Sequence, residues 1–255
     1  MMNARFTVRS FLIVMFVCAG TAMLPAAYGQ SFKEASQFYK ENKYDQAIEA
    51  YEKTLAHGFE SGNLYYNLGN SYFKKGELGR ALLNYERSRL FIPADSDLRS
   101  NYKFVRSLLN VPAGAHGSRW FLKWIDVLFD GVGLNGLTVV VSVLWISILG
   151  LLSSYLLLPL LKPYVTPLCA ICAAALIVSS VALTRKIGDY EHGAVVIGKE
   201  VEAKFEPANG ATTYFKLAEG SPVLILDRTA GWVKIRRPDS KIGWVSSGAV
   251  AGIRE

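Results

Sequence analysis

Residues 131–184 read GVGLNGLTVVVSVLWISILGLLSSYLLLPLLKPYVTPLCAICAAALIVSSVALT, and the only charge among them is Lys162. At about 1.5 Å per helical residue, 137–158 reaches about 33 Å and 166–184 about 28 Å, against a hydrocarbon core of roughly 30 Å. The stretch therefore predicts a transmembrane hairpin, with Pro159, Pro163 and Pro167 bracketing its turn, where interrupting a helix costs least. A chain of 255 residues offers too little protein to bury two such runs as core helices. The hairpin cuts the chain into parts with different compositions, and each part has its own pattern.

Residues 1–29 carry Arg5 and Arg9, no acid, an apolar run from Phe11 to Ala19, and the small-residue stretch Ala26-Ala27-Tyr28-Gly29. This is the plan of a secretory signal peptide cut before Gln30. Cys18 follows Phe16-Val17 rather than small residues, which argues against a lipoprotein. The net charge of +7 falls to +5 without Arg5 and Arg9, and it is thinly spread. Basic and acidic residues number 12 and 10 over 30–110, 5 and 3 over 111–190, and 9 and 8 over 191–255. Nucleic-acid binding needs a clustered basic patch, so it is not expected.

Between 111 and 136, Trp120, Phe121, Trp124, Ile125, Leu128 and Phe129 recur with helical spacing, opposite Arg119, Lys123, Asp126 and Asp130. Such a helix suits the headgroup region of a bilayer; packing on a soluble domain is the alternative. Parity then places 30–130 and 186–255 on the same outer side of the membrane. The turn carries Lys162 alone while the outer flanks hold Arg119, Lys123, Arg185 and Lys186, against the positive-inside bias. The signal peptide, acting first, is expected to decide.

Two stretches of 30–93 superpose at an offset of 34: Phe38, Tyr44, Ala47 and Tyr51 align with Tyr72, Leu78, Ala81 and Tyr85. The second reads Tyr65-x-x-Leu68-Gly69-x-x-Tyr72, then Gly76, Ala81-x-x-x-Tyr85 and Pro93, and it resembles the tetratricopeptide repeat position by position. Small Gly69 and Ala81 let two helices approach, Tyr72 and Tyr85 fill the space around them, and Pro93 ends the second helix. The first copy departs at Ala35, Thr54 and Phe59. Leu98, Tyr102, Val105 and Leu109 mark one face of a further helix over 96–109, a cap or degenerate third repeat. The resemblance implies a concave protein-binding groove at Phe32, Tyr39, Lys40, Asn63, Tyr66, Asn67, Asn70, Lys74 and Asn101. Asn amides and Lys ammoniums there can grip a peptide backbone and its carboxylates; a solvated helix face is the alternative.

From Gly193 short apolar runs alternate with turns: Val195–Ile197, Val201–Phe205, Tyr214–Leu217, Val223–Asp227, Trp232–Arg236 and Ile242–Ser246. Five or six strands in about 60 residues imply a small barrel over 193–255. Glu219-Gly220-x-x-Val223, Gly231-Trp232-Val233-Lys234-Ile235 and Gly243-Trp244-Val245-x-Ser247 resemble the bacterial SH3 domain. Alternation sets Val233 and Ile235 opposite Trp232 and Lys234. Tyr214, Trp232 and Trp244 are the candidate ligand face, for peptide or glycan; both Trp as framework residues is the other reading. Ala249 stands where a proline-reading SH3 surface has Tyr, so a proline-rich ligand is not expected.

No nucleophile-and-base signature, phosphate loop or metal-ligand cluster is evident, and His57, His116 and His192 are scattered. Cys169-Ala170-Ile171-Cys172 has redox spacing, but its neighbours are the small residues of close helix packing. The expected fold class is multidomain: an all-α tetratricopeptide repeat domain, a two-helix transmembrane hairpin and a small all-β SH3-like barrel, with no enzyme activity, no metal and no cofactor. This order of modules resembles the BatE family of the Bacteroides aerotolerance operon. The resemblance implies an adaptor in the bacterial inner (cytoplasmic) membrane, both soluble domains in the periplasm, acting in stress tolerance beside von Willebrand A-domain membrane proteins and a MoxR-type ATPase. A peptidoglycan-reading wall sensor and, more remotely, a membrane thiol redox protein are the alternatives. Alkaline phosphatase fused after Glu255 is expected to be active; an active cytoplasmic reporter there would overturn the topology.

Overall fold

The computed structural model describes residues 24–111, 124–125 and 127–254. Most of the expected signal peptide, His116, and Arg119, Trp120, Phe121, Lys123 and Asp126 of the expected interfacial helix lie outside the described residues. The chain divides into two compact units, 1–60 and 61–255.

The first unit is a helix pair, α1 (Leu24–Lys40) and α2 (Tyr44–Ala56), joined through Asn42 at a φ of 59°. The expected cut before Gln30 falls inside α1. Ala35, Ala47 and Tyr51 are fully buried. The Tyr51 ring lies 5.8 Å from Phe32, and its hydroxyl bonds Ser36 Oγ at 3.0 Å.

The second unit begins with α3 (Gly62–Lys75), α4 (Leu78–Phe91) and α5 (Ser96–Leu108). Ser61 and Asp95 accept from the amides of Leu64 and Leu98, satisfying donors at the starts of α3 and α5. Gly76, at a φ of 82°, ends α3 in the left-handed conformation that glycine adopts without strain. Buried Tyr85 lies against Gly69, its hydroxyl bonded to Asn70 Oδ1 at 2.7 Å and its ring 6.1 Å from Tyr66. Moved by 34 residues, this is the cluster of Phe32, Ser36 and Tyr51. The period seen in the sequence is thus a period in packing and hydrogen bonding.

Next come α6 (Leu134–Leu157), a turn of 3₁₀ helix (Pro159–Leu161) and α7 (Lys162–His192). Both helices are long and apolar enough to cross a membrane, and their apolar windows are only 6% and 17% buried. Such low burial is unlike that of a soluble core helix, which hides its apolar surface in protein. Pro167 lies inside α7 rather than before it; its missing N–H costs only the bond to the Pro163 carbonyl near the helix start. At the other end α7 runs past the expected span and passes into the first strand at Gly193 with no linker.

Seven antiparallel strands follow: β1 (Gly193–Val196), β2 (Glu200–Lys204), β3 (Thr213–Ala218), β4 (Pro222–Thr229), β5 (Trp232–Arg236), β6 (Ile242–Ser246) and β7 (Val250–Gly252). Their order is β3-β2-β6-β5-β4-β1-β7. Leu217 of one edge strand and Val250 of the other share a single core with Ala203, Val233, Ile235 and Val245. Laid flat, seven strands would hold those edges about 29 Å apart, so the sheet must curl around its core. Only three residues long and without a hydrophobic run, β7 escapes sequence reading; its pairing with β1 completes the sheet.

Gly69 gives a test of the helix pairing. Gly→Ala within a helix gains about 1 kcal/mol from propensity alone, but a Cβ here would stand 2.7 Å from the Tyr85 ring. Displacing a buried ring costs about 1–3 kcal/mol. Gly69→Ala is therefore expected to lower the melting temperature of the chain in detergent, followed by circular dichroism; a rise would contradict this packing.

Candidate functional site

The expected groove residues fall into both units. In the first, Phe32 packs on Tyr51, Tyr39 meets Tyr44 edge-on at 5.6 Å, and Lys40 is exposed. In the second, Asn70, Asn101 and Tyr66 meet. Asn101 Nδ2 donates to the Tyr66 hydroxyl at 3.0 Å and to Asn70 Oδ1 at 3.1 Å, while Tyr85 donates to the same Asn70 oxygen. This network ties α3, α4 and α5 together and fixes both amides. Asn63 and Lys74 are exposed, and Asn67 is half-buried. One turn beyond the amides, Phe73 meets Phe104 edge-on at 5.9 Å, a pair not singled out from sequence because its two helices lie 31 residues apart.

On the sheet, alternation holds along β5: Val233 and Ile235 enter the core, and Trp232 and Lys234 turn outward. Lys234 pairs across strands with Trp244, which also pairs with Lys204. Lys204 Nζ stands 5.7 Å from the Trp232 ring and Lys234 Nζ 5.5 Å from the Trp244 ring. Two half-buried indoles and two ammonium groups thus share one outer face, an arrangement that stacks on flat ligands and attracts anions. Tyr214 lies against Phe205, at the start of the β2–β3 loop, with ring centroids 4.5 Å apart and the planes tilted by 31°. Phe205 is 58% exposed and Tyr214 44%.

A third surface is already occupied within the unit. Glu219, in the β3–β4 turn, accepts from the Gly79 amide in the first turn of α4 at 2.6 Å. A carboxylate there satisfies an otherwise unpaired amide and complements the positive helix end. Near the other end of α4, Arg87 donates to the carbonyls of Gly252 and Ile253 at 2.7 and 2.9 Å. Gly79 and Gly220 permit the close approach: a Cβ on Gly79 would stand 3.0 Å from Ile197 Cα, and one on Gly220, whose φ is 79°, 2.6 Å from Leu109. Partners 140 and 165 residues apart leave no local sequence signal.

Beside this junction Tyr102 is buried, donates to Glu86, and lies under Arg89 at 4.5 Å. Burial first, and the Glu86 carboxylate second, hold its phenol well above the ordinary tyrosine range. For Arg89, burial works against the charge, but Glu86, Tyr102 and Asp130 outweigh it and raise its pKa further. The adjoining cavity, between Leu82, Val195 and Pro222, is nearly filled by its own walls.

At the foot of α4, the Gly133 position lies against the Phe91 carbonyl, where a Cβ would come within 2.6 Å. Lys186 of α7 donates to the carbonyls of Phe129, at 3.1 Å, and Val132. Trp124, Val127 and Leu128, in the short helical stretch before these carbonyls, are 67–73% exposed. Cys169 and Cys172 are half-buried free thiols on α7. Among the described residues no group of three His, Cys, Asp or Glu could hold a metal ion.

Residues 205–251 match the family model of the bacterial SH3 domain. The match starts just after β2 and ends within β7, so β1 and β2 complete the sheet from outside it. No curated protein matches the chain. A bacterial SH3 domain points to protein or peptidoglycan binding. Alanine at Glu219 or Arg87 is expected to speed amide exchange in the first turn of α4 and in β7 about tenfold, equivalent to about 1.4 kcal/mol. Hydrogen–deuterium exchange of the chain in detergent checks this, with β5 and β6 unchanged as the internal control.

Proposed function

We propose that this protein is a non-enzymatic membrane adaptor, its helical repeats and SH3 domain holding partners on the outer face of the bacterial inner membrane. The observation that carries the reading is the passage of α7 into β1 without a linker, which fixes one binding module directly on a membrane helix. The 34-residue repetition of packing and hydrogen bonds supports tetratricopeptide repeats in the helical region. Given that architecture, the BatE-like reading is preferred, with von Willebrand A-domain membrane proteins as partners in stress tolerance.

The helical face suits a peptide main chain. Among the described residues, the Asn70 amide N–H groups and the Asn101 side-chain oxygen have no protein partner, and neither atom is buried. Side by side they offer donors for a peptide carbonyl and an acceptor for a peptide N–H. The Trp232–Trp244 face favours a second reading for the SH3 domain, peptidoglycan, because indoles stack on sugars and lysines meet stem-peptide carboxylates.

Photo-crosslinking in native membranes separates the two. With a photoreactive residue at Lys74 and, separately, at Trp232, protein adducts are expected at both positions. Muropeptide adducts at 232 would replace the protein reading of the SH3 face, and no adduct at either position would overturn the adaptor.

A further inference from the structure

The amide pair does not stand alone. Residues three apart on a helix are surface neighbours, so Phe73 lies one turn beyond Asn70 on α3 and Phe104 one turn beyond Asn101 on α5. Asn70 and Asn101 touch, and so do Phe73 and Phe104. The two helices therefore form a ladder, its first rung an amide pair and its second an aromatic pair. Leu108 extends the second rung by one more turn of α5.

These apolar groups are unusually open. Phe104 is 53% exposed and Leu108 48%, while Leu98, Tyr102 and Val105 on the same helix are buried. Helix α5 thus has two apolar faces, one used for folding and one turned outward. Singly exposed apolar residues need no explanation, but a contiguous aromatic pair beside unfilled hydrogen-bonding groups does. Exposed Lys74, four residues after Asn70 and adjacent to Phe73, supplies a positive charge at this edge.

We infer that the Phe73–Phe104 rung is the specificity subsite of the helical face: it receives one large apolar side chain of an extended peptide whose main chain lies on Asn70 and Asn101 and whose neighbouring carboxylate meets Lys74. The inference rests on the peptide reading of that face and adds the class of peptide. Main-chain bonds to amides are blind to sequence, whereas the aromatic rung selects; burying a large aliphatic or aromatic side chain is worth roughly 1.5–3 kcal/mol, a preference of roughly ten- to a hundredfold over a small residue. The charge sets direction, because only one orientation of the peptide brings its acid to Lys74.

The test uses the full chain in nanodiscs as bait for a displayed library of random dodecapeptides, with empty nanodiscs as counter-selection. Recovered peptides are expected to share a large apolar residue followed or preceded closely by an acidic one. Against a recovered peptide, Phe104→Asp should weaken binding at least tenfold and Phe104→Ala about fivefold, with far-ultraviolet circular dichroism unchanged because the side chain is already half-exposed. Asn70→Asp keeps the oxygen that accepts from Tyr85 and Asn101 but removes the donors, and should also weaken binding. If Asn70→Asp abolishes binding and both Phe104 variants bind like wild type, the subsite is wrong and the peptide groove stands. Failure to recover any peptide, or binding lost only in Trp244→Ala, overturns both.

Discussion

Helix α4 is the element to which the rest of the second unit is fastened. Its first turn ends on Glu219, its last turns reach Gly252 and Ile253 through Arg87, its inner side seats Tyr85 against Gly69, and its foot lies against Gly133. Each polar tie is modest: about 0.3–1 kcal/mol for an anion at a helix start, and about 1.5–3 for a hydrogen bond from a charged donor. Their effect lies in placement at opposite ends of one rigid rod, where a single contact would leave a hinge. The steric condition is stricter, since side chains at Gly79 or Gly220 would hold the surfaces apart whatever the charges did.

The consequence is a closed circuit of contacts. The sheet is joined covalently to α7 and by hydrogen bonds to α4. Helix α4 meets the chain at Gly133, where α6 begins, and Lys186 of α7 binds the carbonyls of Phe129 and Val132 just before it. A sheet and a helical region that only had to be present could be joined by a flexible linker. Here the Trp232–Trp244 face and the Asn70–Asn101 amides keep a fixed relation to the two apolar helices. Anything bound at one surface would then be oriented relative to the other, as the proposed adaptor role requires.

How much of this the sequence revealed follows from the range of each interaction. Apolar runs between 131 and 184, the offset of 34, and alternation at Trp232 to Ile235 are local patterns imposed by helix pitch, repeat packing and strand pleat. They gave the helices and six of the strands. The bonds from Glu219 to Gly79 and from Arg87 to Gly252 join residues with no periodic relation, and nothing in either local stretch marks them. Asn70 shows an intermediate case. Its repeat position named it as a groove residue, but the sequence could not show that its oxygen is committed to Tyr85 and Asn101 while its N–H groups remain open. Alternation groups Tyr214 with Trp232 and Trp244, but it cannot show the register shift between Ala203 and Lys204 or the Phe205 ring beside Tyr214.

A polar network at the meeting of three helices is a costly way to make a joint. Apolar residues of similar shape would seal it as well, and a half-satisfied network is worse than none. In the first unit the equivalent tyrosine bonds a hydroxyl, that of Ser36, where Tyr85 bonds an amide. The second unit places two amides at the matching joint. Two amides locked by their neighbours lose little further freedom when a ligand arrives, so their open groups can bind without a large ordering cost. The proposed main-chain surface gives Asn at 70 and 101 a use beyond the joint, and the aromatic pair one turn away would give that surface something to choose by.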